Sequence, residues 1–226
     1  MRYKNISEAK FISRPNRFIA TVEKDGEELT VHVKNTGRCR ELLTKNAKVY
    51  IQKSENETRK TKYDLVMVKK GDRIINMDSQ APNTLFREWI ERGNLFSEIS
   101  LIRPESRYKN SRFDFYMEAD GKRIFAEVKG VTLEEDGIVR FPDAPTQRGV
   151  RHIKELIDAK ACGYEAYIAF IIQMNNVHHF EPNYKTHREF GEVLAEAESR
   201  GVNILAIDCH VTEDSVEAQN IVPVRL

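Results

Sequence analysis

The pattern of apolar and polar positions changes character near residue 80. Before that point, short β-favouring runs alternate with turn signals such as Asp25-Gly26 and Lys70-Gly71-Asp72. The strands predicted from these runs cover residues 17–22, 29–33, 49–51, 63–68 and 73–77. Several short strands with regular turns are typical of a small barrel or sandwich. We therefore predict an OB-like β-barrel over residues 1–80.

Helical and strand patterns alternate after a predicted boundary at residues 79–84. Asn83 or Thr84 can cap a helix over 85–95, and Thr146 can cap a second helix. The remaining predicted elements are strands near 99–102 and at 111–118, 122–132, 165–173 and 203–209, with a third helix at 185–199. The order α-β-β-β-α-β-α-β predicts an α/β domain over residues 81–226, with a mixed sheet flanked by helices.

The strands 111–118 and 122–132 are joined by Asp120-Gly121, a strong signal for a tight hairpin turn. If these two residues form the loop, Asp114 lies opposite Glu127. Two carboxylates in cross-strand positions have Cβ atoms about 5 Å apart and repel each other. A divalent cation between them removes the conflict, and Lys129 lies on the same strand face as Glu127.

The polar face of this hairpin predicts a site for Mg²⁺ or Mn²⁺, held by Asp114 and Glu127. Hard cations take oxygen ligands, often one or two carboxylates together with water and substrate phosphate. Lys129 can orient a water molecule or stabilise negative charge in the transition state. Phe113, Phe115 and the apolar residues of the second strand are expected on the opposite face. The alternative is an exposed sheet face with solvated charges and an ion pair at Lys129.

The order αβββαβ, with Asp114 on the second strand and Glu127-Val128-Lys129 on the third, resembles the PD-(D/E)xK nuclease superfamily. Phe113 stands where the name of that superfamily places proline. The superfamily often has a further acid on its first helix. Glu88 and Glu91 lie on that helix, and Glu98 follows it closely, but an ordinary surface glutamate is the favoured interpretation of each.

Composition indicates a folded chain, with 40% apolar and 31% charged residues and no low-complexity tract. The longest apolar run, Tyr167 to Ile172, is too short to cross a bilayer, and the N-terminus does not resemble a signal peptide. Cys39, Cys162 and Cys209 are widely spaced, and their spacing predicts neither a disulfide framework nor a metal motif. We expect a cytoplasmic protein that does not interact with a membrane.

Charge is distributed unevenly along the chain. Residues 1–80 contain 18 Lys and Arg against 11 Asp and Glu, whereas residues 81–226 contain 18 against 24. A basic first part attracts polyanions, and an acidic second part can supply metal ligands.

Two turn-like segments of the basic part carry candidate phosphate contacts. Arg14, Arg17 and Arg38 can bind phosphate through their guanidinium forks. Asn35 begins the turn Asn35-Thr36-Gly37, whose backbone N–H groups can approach a phosphate. The alternative is an ordinary solvated basic loop.

Arg148 and His152 at the start of the second predicted helix are further candidate contacts to nucleic acid. Their i,i+4 spacing puts them on one helix face, and helix N-termini favour anions. His152 can instead make a contact in the core.

Six segments resemble the sugar fermentation stimulation protein family, namely RPNRF at 14–18, HVKNTGR at 32–38, PN at 82–83, SRFDF at 111–115, AEVKGVTL at 126–133 and RFPDAPTQRGVRH at 140–152. The resemblance covers nearly the whole chain. It implies a cytoplasmic prokaryotic protein with an OB-like domain and a nuclease-like domain. It also implies DNA binding and a link to the regulation of maltose metabolism.

Three hypotheses follow from these patterns. The first is a DNA-binding protein with a metal-dependent nuclease centre at Asp114, Glu127 and Lys129. The second is a DNA-binding regulator without cleavage activity, and the third is an interaction module whose barrel binds RNA or protein. The presence of all three core residues favours the first hypothesis, whereas the sequence does not predict the oligomeric state.

Overall fold

The computed structural model describes residues 1–35 and 37–226. Thr36, in the predicted Asn35-Thr36-Gly37 turn, lies outside the described residues. Two sheet-containing domains follow each other along the chain, and both contribute to continuous hydrophobic cores.

The first domain is a closed barrel. Its strands are β1 (Ile6–Ser13), β2 (Ile19–Lys24), β3 (Glu27–Val33), β4 (Lys48–Lys53), β5 (Tyr63–Lys70) and β6 (Arg73–Asn76). The sheet order is β3-β2-β1-β4-β5-β6, and a parallel pairing of β3 with β5 closes the first five strands. The predicted OB-like barrel is therefore confirmed. The sequence analysis missed β1, whose apolar positions do not alternate strictly and whose register shifts between Phe11 and Ser13.

The second domain is built on a six-stranded mixed sheet. Its elements are α1 (Ala81–Glu91), β7 (Ile99–Tyr108), β8 (Ser111–Ala119), β9 (Lys122–Val131), β10 (Leu133–Glu135), β11 (Ile138–Phe141), α2 (Gln147–Ala161), β12 (Glu165–Ile172), β13 (His179–Pro182), α3 (Arg188–Ser199), β14 (Asn203–Val211) and β15 (Val216–Ile221). The sheet order is β15-β14-β12-β9-β8-β7. The apolar side of α1 packs on one face, and those of α2 and α3 pack on the other. The predicted α/β fold is confirmed.

Four short or terminal strands were not predicted. β10, β11 and β13 form a small separate sheet in the order β10-β11-β13, and β15 pairs with β14 at the edge of the main sheet. β10 and β11 are three and four residues long. Their sequence pattern is too short to indicate a strand, and β13 depends on a parallel pairing with a distant segment.

The first helix begins earlier than predicted. α1 starts at Ala81 with Pro82 in its first turn, a position where the missing N–H of proline costs nothing. Asn83 and Thr84 lie inside the helix, so the predicted cap is wrong. The cap at Thr146 is confirmed, because its Oγ1 accepts a hydrogen bond of 3.0 Å from the Gly149 N–H.

Buried polar contacts join the two domains. Gln173, after β12, donates through Nε2 to Asn76 Oδ1 at 2.6 Å. Glu134 on β10 pairs with Lys70 Nζ at 2.7 Å and with Arg73 Nη1 at 2.6 Å. These contacts fix the barrel against the end of the hairpin that carries the candidate site.

Across residues 1–35 and 37–226, no helix is both long enough and apolar enough to span a membrane.

Candidate metal centre and nucleic-acid interface

The predicted hairpin forms with the predicted register. Asp120 and Gly121 make the turn with φ values of 48° and 72°, and the pairing runs from Ala119–Lys122 to Phe115–Ala126. Asp114 and Glu127 occupy the next positions, beyond the end of this ladder. There the Asp114 side chain replaces the backbone pairing, because its Oδ2 accepts a 2.7 Å hydrogen bond from the Val128 N–H.

Asp114 also contacts the first helix. Its Oδ1 accepts a 2.9 Å hydrogen bond from Asn83 Nδ2 on α1. Burial raises the pKa of Asp114, and the negative charge of Glu127 raises it further. The electrostatic conflict predicted for this pair of carboxylates is therefore present in the folded chain.

Glu127 is buried, and its two oxygens have different surroundings. Oε1 accepts a 2.5 Å hydrogen bond from His152 Nδ1 and pairs with the Lys129 ammonium. Oε2 is buried without a hydrogen-bond partner among the described residues. Burial alone would raise the pKa of Glu127, but the His152 hydrogen bond and the Lys129 charge outweigh it and hold the pKa below its ordinary value. The carboxylate is thus kept ionised with one oxygen free.

Two residues from the start of α2 complete this cluster. Arg148 Nε donates to His152 Nε2 at 3.4 Å, so the proton of a neutral His152 lies on Nδ1 and is donated to Glu127. The predicted shared face of Arg148 and His152 is therefore observed. His152 is buried, which matches the predicted alternative of a core contact, and that contact is made to the carboxylate itself.

One expectation about the hairpin faces is wrong. Phe113 was expected on the same face as Phe115, but its ring centroid lies 5.4 Å from Phe125 and 6.2 Å from His152. The Phe115 ring instead lies 5.7 Å from Phe86 on α1. Strand β8 changes face around Asp114, where its ladder with β9 ends while its pairing with β7 continues.

The helix residue at this site is an amide rather than an acid. Glu88 pairs with the Met1 amino group and Glu91 pairs with Arg87, and Asn83 is the α1 side chain that reaches Asp114. The sequence analysis missed this role. The only signal was the pair Pro82-Asn83 at the predicted boundary.

The donor set fits a hard cation with few protein ligands. Within the part of the chain that the structure describes, His, Cys, Asp and Glu side chains form no group of three suited to holding a metal. Asp114 and Glu127 offer carboxylate oxygens, one of which has no hydrogen-bond partner among the described residues. Mg²⁺ commonly binds one or two carboxylates while keeping water ligands.

The basic residues of the barrel form a second cluster around Arg14. The Arg14 guanidinium donates to the carbonyl oxygens of Arg17, Asn35, Gly37 and Arg38 at distances of 2.6 to 2.9 Å. Its donors are thus largely used within the protein. Arg14 therefore holds the two loops together, and the side chains of Arg17 and Arg38 remain exposed at the surface.

A cavity of about 320 Å³ lies between the two domains. Asn35 and Gly37 line one side, and Gly130, directly after Lys129, lines another together with Thr146 at the start of α2. Asp143 ties the walls together, because its Oδ2 accepts a 3.3 Å hydrogen bond from the Arg38 N–H. Among the predicted site residues, Asn35 lines this cavity, and the carboxylate group is connected to it through Gly130, the chain neighbour of Lys129.

Comparisons with known proteins cover both domains. A model described as the sugar fermentation stimulation protein RE domain matches residues 80–215, and one described as the SfsA N-terminal OB domain matches residues 12–77. Sugar fermentation stimulation protein homologs of Desulfitobacterium hafniense and Clostridium beijerinckii are each 61% identical over 226 residues, covering 100% of this chain and 99% and 100% of the relatives. The solved structure of Pyrococcus furiosus SfsA in complex with Ca²⁺ matches with a TM-score of 0.91 and 30% identity, covering 100% of this chain and 98% of that chain.

Proposed function

This chain belongs to the sugar fermentation stimulation protein family, and we propose that it binds DNA and hydrolyses phosphodiester bonds with Mg²⁺ or Mn²⁺ held by Asp114 and Glu127. The observation that carries the proposal is the buried Oε2 of Glu127. A carboxylate oxygen without a partner costs about 1–3 kcal/mol or more, and a cation ligand role accounts for it. The Ca²⁺ of the Pyrococcus furiosus relative supports a divalent-cation site in this family.

The surrounding residues suit the proposed chemistry. When bound, a divalent cation polarises a phosphodiester and lowers the pKa of a bound water. His152 keeps Glu127 oriented and ionised through a single hydrogen bond. Lys129, paired with the same Glu127 oxygen, supplies positive charge beside the reacting phosphate, and Arg148 adds a second cation next to His152.

Manganese binding, measured by titration calorimetry, tests the metal site separately from cleavage. Wild-type protein is expected to bind Mn²⁺, and Glu127→Gln and Asp114→Asn should each weaken binding at least about tenfold, because each removes an anionic ligand. Glu118→Gln is a matched control, since Glu118 lies on β8 and bonds the Tyr116 hydroxyl. A wild-type protein that binds no Mn²⁺, or variants that bind it equally well, would overturn the proposal.

Cleavage tests the second half of the proposal. Labelled DNA incubated with protein and Mg²⁺ or Mn²⁺ should be cut by wild type and left intact by Asp114→Asn. Binding of the DNA by Asp114→Asn should persist, because the basic loops of the barrel are separate from this pair. If the wild type binds Mn²⁺ but cuts neither DNA nor RNA of any form, the nuclease half of the proposal fails.

The second candidate function is a DNA-binding regulator of sugar metabolism, such as maltose use, without cleavage. The observation that favours it is the Arg14-organised loop pair, which presents Arg17 and Arg38 independently of the carboxylates. DNA binding without cleavage by the wild type would select this candidate. We place either function in the cytoplasm, since the three cysteines are unpaired.

A further inference from the structure

Phe18 is an exposed aromatic side chain on the barrel. It is 46% exposed, and in the ranges 1–35 and 37–226 only Tyr184 and Ile221 are other large apolar side chains of this kind. The Arg17 guanidinium carbon lies 4.8 Å from the centre of the Phe18 ring. The exposed ring therefore has a cation beside it, a combination found where aromatic side chains stack on nucleobases.

The backbone under this ring is held firmly. Asn16 Oδ1 accepts hydrogen bonds from the N–H groups of Phe18 and Ile19 at 2.9 and 3.1 Å, and the Phe18 carbonyl accepts a 2.7 Å bond from the Val33 N–H. Arg14 ties the same loop to the loop after β3. Because the backbone that carries the ring is already positioned, a ligand that stacks on Phe18 loses little free energy to ordering of this loop.

The surface next to Phe18 is basic. A cavity of about 300 Å³ is lined by Arg14, Arg17, Arg38 and Arg40. Arg17, Arg38 and Arg40 are exposed, and none of the three forms an ion pair with another described residue. Guanidinium groups without ion-pair partners among the described residues, in a cavity that Arg17 connects to an exposed ring, fit a ligand that has phosphates and flat bases together.

This basic cavity adjoins the cavity between the domains. Gly37 lines both, and the far wall of the second cavity begins at Gly130, the residue after Lys129. The two cavities therefore meet at Gly37, and together they extend from Arg17, the neighbour of Phe18, to Gly130, the neighbour of Lys129.

From these contacts we propose that Phe18 stacks on an unpaired base of a single-stranded nucleic acid. Arg17, Arg38 and Arg40 neutralise its phosphates, and the strand continues past Gly37 to the carboxylate pair. The last part rests on the proposed function, whereas the stacking does not. Stacking on Phe18 selects single strands, because the base faces of a duplex are covered by neighbouring base pairs.

Fluorescence anisotropy with a labelled oligo(dT) of about 12 nucleotides, long enough for one OB-fold site, tests the stacking. EDTA is present so that cleavage plays no part. Phe18→Ala should weaken binding roughly 5- to 160-fold, the range for loss of one stacked base, and Phe18→Trp should restore it. Tyr184→Ala is the matched control, since Tyr184 is 43% exposed but lies in the second domain.

An oligonucleotide of the same length with abasic sites separates stacking from charge. It should bind wild type about as weakly as oligo(dT) binds Phe18→Ala, and Phe18→Ala should not weaken its binding further. Equal affinity of wild type for abasic and normal strands, or for a duplex and a single strand, would overturn the proposal. Loss of Mn²⁺ binding or of cleavage bears only on the carboxylate pair and leaves the stacking result unchanged.

Discussion

His152 Nδ1 lies 2.5 Å from Glu127 Oε1, although the two residues are 25 positions apart and belong to α2 and β9. Both side chains are buried. The contact attaches the start of a helix to the carboxylate that faces Asp114. It uses one oxygen of that carboxylate, while the other has no hydrogen-bond partner among residues 1–35 and 37–226. The stability of the fold and the ionised state of the Glu127 carboxylate in the candidate metal centre therefore depend on the same pair.

Replacement of His152 by alanine is expected to lower the free energy of unfolding by about 3 kcal/mol, because it leaves a buried carboxylate with one donor fewer. Urea denaturation measures the loss. Arg151→Ala, one position earlier on the exposed side of α2, should change it by less than about 0.5 kcal/mol. The double variant His152→Ala, Glu127→Gln should be less destabilised than the sum of the single variants. Strict additivity would contradict an energetic role for this contact.

Replacement of Asn83 by aspartate should make stability depend on divalent cations. The variant places a third carboxylate 2.9 Å from Asp114 Oδ1, so repulsion should lower the melting temperature in EDTA. Added Mn²⁺ should raise the melting temperature of Asn83→Asp more than that of wild type, since a ligand that binds the folded state stabilises it. Thr84→Asp, at the exposed neighbouring position, should show no such difference. An equal response of the two variants would argue against a cation near Asp114.

Glu134 should make stability sensitive to acid. Burial would raise its pKa, but Lys70, the Gly137 N–H and Arg73 lower it from 4.5 to about 2. A folded-state pKa below the unfolded value stabilises the fold above pH 4.5, and this contribution is lost as the pH falls from 4.5 toward 2. Glu134→Gln should therefore cost roughly 3 kcal/mol at neutral pH, and the difference from wild type should narrow in acid.

Urea denaturation at neutral pH and near about pH 3 measures that difference. Glu135→Gln is the control, because Glu135 is 70% exposed in its pair with Arg140. A gap between Glu134→Gln and wild type that stays constant with pH would contradict the assigned ion pairs.

Variants of Arg14 and Arg17 should distinguish a residue that organises the basic loops from a residue that contacts nucleic acid. Arg14→Lys cannot reach four carbonyl oxygens with one ammonium, so it should lose about 2 kcal/mol of stability and speed hydrogen exchange in both loops. Arg17→Ala should leave stability unchanged within about 0.5 kcal/mol but weaken binding and reduce its salt dependence. Comparable stability losses in both variants would contradict this division of roles.

Features encoded in a few adjacent residues were predictable. Asp120-Gly121 determines a tight turn and, through it, the register that brings Asp114 and Glu127 to neighbouring positions. Thr146 caps α2 through its own first turn, so that prediction also held. Arg148 and His152 share a helix face because of their spacing alone.

Features that depend on distant neighbours were not predictable. The role of Asn83 requires α1 to lie beside β8. The start of α1 was predicted too late because Ala81 and Pro82 are compatible with the first turn of a helix, but short-range preferences do not favour a start at these residues over a later one. Phe113 lies on the other face from Phe115 because the ladder between β8 and β9 ends at Phe115. The alternation of apolar and polar residues along β8 does not show where that ladder ends. The use of Arg14 by loop carbonyls depends on a contact between two separate loops.

The amino-acid sequence by itself determined the two-domain α/β architecture, the hairpin and the identity of the candidate carboxylates and arginines, because turn chemistry and hydrophobic period act over a few residues. The tertiary structure alone decided which of these groups form hydrogen bonds within the protein and which do not. It joined His152 and Lys129 to one oxygen of Glu127 and left the other without a hydrogen-bond partner in the part of the chain that the structure describes. It also placed the Arg14 guanidinium against loop carbonyl oxygens and left Phe18 and Arg17 exposed. The physical reason is that burial and hydrogen bonding depend on segments that meet only when the chain is folded.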